Sequence, residues 1–74
     1  MYEPLSVENQ MELIKRAIGK EFIIANIENA DVYNEEDKYQ YIRILKCNNL
    51  EQAFIIYTSM DTAAREEFIG LIRG

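Results

Sequence analysis

Side chains able to do covalent or acid–base chemistry are scarce in this chain. It contains no histidine, so the commonest general base and metal ligand is missing, and neither a Ser–His nor a Cys–His pair can be assembled. The remaining nucleophiles are Ser6, Ser59, Thr58, Thr62 and Cys47, and none has a sequence neighbour that would activate it. Cys47 has only Lys46 beside it, too little positive charge to draw out a thiolate. It reads as a small residue at the end of an element.

The acids are the other candidates. Glu28, Asp31, Glu35, Glu36 and Asp37 crowd one short stretch. A calcium loop wants oxygen ligands at alternating positions and a glycine at the sixth. Counting from Asp31, Tyr33 falls third and Glu36 sixth, so the pattern fails. Gly19, Gly70 and Gly74 are isolated, so no phosphate-binding glycine loop exists. The expectation is a non-enzyme without metal or cofactor, in which the acids form a solvated turn or a contact for a basic partner.

Charge placement sharpens this. The 74 residues carry a net charge of −5, and residues 21–37 alone hold six acids and no base. Phosphate binding requires the opposite sign, so nucleic acid is an unfavourable partner. One cysteine cannot form an internal disulfide, no stretch resembles a secretion signal, and no apolar run approaches a membrane span. These features point to a cytoplasmic chain with no membrane partner, forming a single domain over residues 1–74.

Two segments are expected as helices. Ser6 can cap a helix over 7–18, in which Val7, Met11, Ile14 and Ile18 make one apolar stripe, with Gly19 as a left-handed terminator. Asp61 or Ser59 can cap a second over 62–73, with Ala64, Phe68, Leu71 and Ile72 on one side. Between them, 22–27, 39–45 and 53–58 are rich in β-branched and aromatic residues, which favours strands. Asn48-Asn49 would supply the tight turn between the last two, pairing Lys46 with Glu51, Ile44 with Ala53 and Ile42 with Ile55. The fold class expected is therefore α+β, a helix, a three-stranded antiparallel meander and a helix (αβββα). An all-α small bundle is the alternative, because Asn34 precedes three acids and Asn49-Leu50-Glu51-Gln52 resembles a capping box.

The order helix–strand–strand–strand–helix resembles that of double-stranded-RNA-binding domains. That family spans phosphates with lysines at the start of its last helix. Here the matching stretch, Asp61-Thr62-Ala63-Ala64-Arg65-Glu66-Glu67, has one base among three acids, so the resemblance does not bring RNA binding with it.

A three-stranded sheet has two faces, and two helices roof only one. The uncovered face would show Phe22, Ile24, Tyr39, Tyr41, Arg43, Phe54 and Ile56, a mixture typical of protein interfaces. The functional expectation is a non-enzymatic protein–protein interaction module, in one form a small acidic regulator or inhibitor. It would act through this aromatic sheet face and the acidic turn, on a protein partner or as a homo-oligomer. The alternative is a small-ligand or nucleic-acid binder that stacks its target on Tyr39, Tyr41, Phe54 and Arg43.

Overall fold

The computed structural model describes residues 6–73. Among these residues five α-helices follow one another: α1 (Val7–Ala17), α2 (Glu21–Asn29), α3 (Glu35–Leu45), α4 (Leu50–Ser59) and α5 (Thr62–Arg73). None of the described residues is in a strand. The αβββα meander is thus corrected to a small all-helical bundle, and the likeness to double-stranded-RNA-binding domains goes with it.

The two outer helices form as their sequences require. Ser6 accepts a hydrogen bond from the Asn9 amide at 3.2 Å, and Gly19 takes a φ of +80° just beyond α1. Asp61 caps α5, accepting from the Ala64 amide at 2.8 Å. Ser59 instead donates its hydroxyl back to the Ile56 carbonyl within α4.

In the middle, capping and burial override strand propensity. The Asn34 side chain accepts from the Glu36 amide at 2.8 Å, and three acids fill the first turn of α3, where they meet the positive end of the helix dipole. Asn49 accepts from the Gln52 amide at 2.8 Å. Its φ is −145°, and no residue but glycine has a positive φ among those described. The Asn48-Asn49 hairpin turn therefore does not form; Asn49 starts α4 instead. Apolar side chains in all three segments also recur at helical spacing. Ile24 and Ile27 are buried in α2, Tyr41, Ile44 and Leu45 in α3, and Ala53 and Tyr57 in α4. Propensity is a weak preference that packing of this kind outweighs.

The core lies where these stripes converge. α3 packs against α4 and α2, and α1 against α5 and α4. Ile14, Ile27, Tyr41, Ile44, Leu45 and Phe68 are fully buried at the centre. The amide of Gly19 donates to the Leu45 carbonyl at 2.9 Å, so the turn between α1 and α2 is fastened to the end of α3. No helix among the described residues is long and apolar enough to cross a membrane.

Candidate interaction surface

The seven residues expected on one sheet face are scattered by the helical fold. Tyr41 and Ile24 are buried, Phe54 and Ile56 are partly buried against the core, and only Phe22, Tyr39 and Arg43 are exposed. The aromatic sheet face is corrected accordingly: with no strand among the described residues, these side chains share no sheet face. Tyr41 and Phe54 instead join three other rings of the described residues in a continuous internal stack. Tyr33 meets Tyr41 edge-on at 6.0 Å, Tyr41 lies 5.3 Å from Phe68, Phe68 lies 6.1 Å from Tyr57, and Tyr57 lies 5.5 Å from Phe54. These separations suit attractive ring contacts. The stacking platform of Tyr39, Tyr41, Phe54 and Arg43 is likewise dismantled. What remains is Tyr39 and Arg43 one turn apart on α3, the guanidinium 5.7 Å from the ring centre.

Two tyrosine hydroxyls in the stack tie distant segments together. Tyr41 donates to Glu67 Oε1 at 2.5 Å, with the Ala64 carbonyl also in reach at 3.2 Å. Tyr57 donates to Gln10 Oε1 at 2.9 Å. Burial of the Tyr41 ring, followed by the hydrogen bond to Glu67 and its charge, holds that hydroxyl protonated well above its ordinary range, because the anion would form beside a carboxylate away from water.

The acidic stretch lines two clefts and the connection between α2 and α3. Glu21 and Glu28 line a cleft with Ile24, Leu45, Lys46 and Cys47. Glu36 and Asp37 line another, with Tyr39, Met60 and Asp61, at the junction of α4 and α5. Asp31 and Glu35 are exposed in or beside the connection from α2 to α3. Desolvation first, then the charges of Asp61, Glu67 and Glu36, raise the Asp37 carboxyl above its usual range. The acids thus repel one another across a helix junction. No cluster of three metal-ligating side chains exists among the described residues.

A third groove has a different character. It runs between α2 and the end of α5, walled by Phe22, Ile23, Asn26, Ile27, Tyr33, Leu71 and Ile72. Phe22 stands at its edge 65% exposed, and Val32, next to Tyr33 in the chain, is 81% exposed. The sequence points to Phe22 at an interface and places Leu71 and Ile72 on the apolar side of the last helix, but nothing in it singles out Val32. The clue was the run Phe22-Ile23-Ile24. At 100° per residue it spreads apolar side chains over roughly 200° of a helix, more than one packed neighbour covers.

Comparison with protein-family models, with curated proteins and with solved structures gave no match.

Proposed function

We propose that this chain is a non-catalytic protein-interaction module whose contact site is the apolar groove between α2 and the end of α5. One observation carries the reading. Five aromatic rings are drawn into the internal stack, whereas Phe22 is left 65% exposed on the rim of a groove lined by Ile23, Leu71 and Ile72. An exposed ring beside a concave apolar surface is the arrangement found at the energetic centre of protein contacts. The missing histidine supports a binding role over a catalytic one.

The reading is tested with the apolar-surface dye 1-anilinonaphthalene-8-sulfonate. Its fluorescence should rise with the native chain and fall at least severalfold with Phe22→Ser, while Val7→Ser, at an exposed apolar position on α1, leaves it unchanged. Equal fluorescence from all three proteins would overturn the assignment of the groove.

A further inference from the structure

We propose that the occupant of this groove is a second copy of the same chain, docked α2 against α2 in antiparallel fashion about a two-fold axis. The inference rests on the groove being the contact site.

Shape is the first argument. A two-fold contact needs a self-complementary patch, since each residue meets what its counterpart meets in return. Here the projecting group and the hollow lie side by side. Phe22 stands out at the start of α2, and the groove continues along the same helix past Ile23 and Asn26 to Ile27, closed on the far side by Leu71 and Ile72. An antiparallel partner turns its own Phe22 toward that hollow and receives this one in exchange.

Charge is the second. Lys20 and Asp31 are both exposed and bracket α2 at its two ends. Antiparallel docking sets each Lys20 beside the partner's Asp31, giving two opposite-charge pairs. A parallel arrangement would set like beside like. Glu21 and Glu28 would otherwise oppose their counterparts, but they line the separate cleft with Lys46 and Cys47. They therefore sit in a cleft whose lining does not include Phe22, Ile23 or Ile27.

Size sets the strength. α2 has nine residues, about 13 Å of helix. The contact therefore falls well under the roughly 1,600 Å² of a stable complex. The dimer is a weak one, forming as concentration rises.

Sedimentation velocity from about 10 μM to about 1 mM, a range suited to a small contact, tests this. The mass should climb toward twice the monomer value. Phe22→Ser should remain monomeric with an unchanged far-ultraviolet spectrum. Lys20→Asp and Asp31→Lys should each weaken association about fivefold, as expected for two partly exposed pairs, and the double variant should restore it. A strict monomer throughout overturns the second copy as occupant. The dye result then decides separately whether the groove binds anything. A dimer indifferent to Phe22→Ser places the contact elsewhere. A double variant that fails to recover overturns the antiparallel arrangement.

Discussion

The Tyr41 hydroxyl donates to Glu67 across 26 positions of sequence, at 2.5 Å, and so joins the middle of α3 to the middle of α5. The ring beneath it is fully buried and lies 5.3 Å from Phe68. One side chain thus contributes both apolar packing and a charge-assisted hydrogen bond to the same helix.

Tyr41→Phe keeps the ring and removes the bond. Glu67 is exposed and regains water, and the Ala64 carbonyl belongs to a helix, so no buried group is stranded. The loss in urea denaturation should be about 1.5–3 kcal/mol, the range for a hydrogen bond to a charged group. A loss above about 3 kcal/mol would show that the hydroxyl holds more than this one contact.

The same bond makes stability sensitive to alkali. Tyr41 resists ionisation in the folded chain, its hydroxyl held above the ordinary value of 10, whereas in the unfolded chain it ionises near that value. Above pH 10 the folded state binds more protons than the unfolded one, so stability falls as pH rises, by up to about 1.4 kcal/mol per pH unit. Below pH 10 the group contributes no slope. Tyrosinate absorbance should show the Tyr41 ring ionising only as the fold melts, and Tyr41→Phe should remove that part of the pH dependence.

The caps that decide helix over strand are open to a direct test. Asn34→Ala and Asn49→Ala should each cost about 1 kcal/mol and lower helix content read by circular dichroism. Asn34→Asp and Asn49→Asp should retain most of the stability. Strand-type chemical shifts through 39–58 in the native protein would contradict the fold itself.

Gly19 should tolerate no side chain cheaply. A Cβ there would meet nothing within 4 Å, so crowding is not the obstacle, but φ is +80°. Gly19→Ala should therefore cost about 1 kcal/mol, from backbone strain alone. Gly70→Ala, equally uncrowded and inside α5, should stabilise by a few tenths to about 1 kcal/mol.

Phe68 and Phe22 should behave in opposite ways. Phe68 is fully buried within the ring stack, and Phe68→Ala should cost about 3–5 kcal/mol, comparable to all that a single core of this size supplies. Phe22→Ser should change monomer stability by no more than about 0.5 kcal/mol. A large loss from Phe22→Ser would assign that ring to the core and remove it from any interface.

Sequence alone determined the parts set within a few residues. Ser6, Gly19 and Asp61 act locally, through one hydrogen bond or one backbone angle, and the outer helices lie where these residues and the apolar stripes put them. The absence of histidine and the sign of the charge were equally legible. Tertiary structure decided the middle. Residues 22–27, 39–45 and 53–58 prefer strands by side-chain type, yet Ile24 and Ile27, Tyr41 and Leu45, and Ala53 and Tyr57 each line one side of a helix, and the stripes bury one another. Short apolar runs satisfy both periods, so only the partner across the core selects between them. The same choice buried Tyr41, half-buried Phe54 and left Phe22 outside. Exposure is a property of what lies across from a side chain, and a neighbour distant in sequence leaves no mark on the residues beside it.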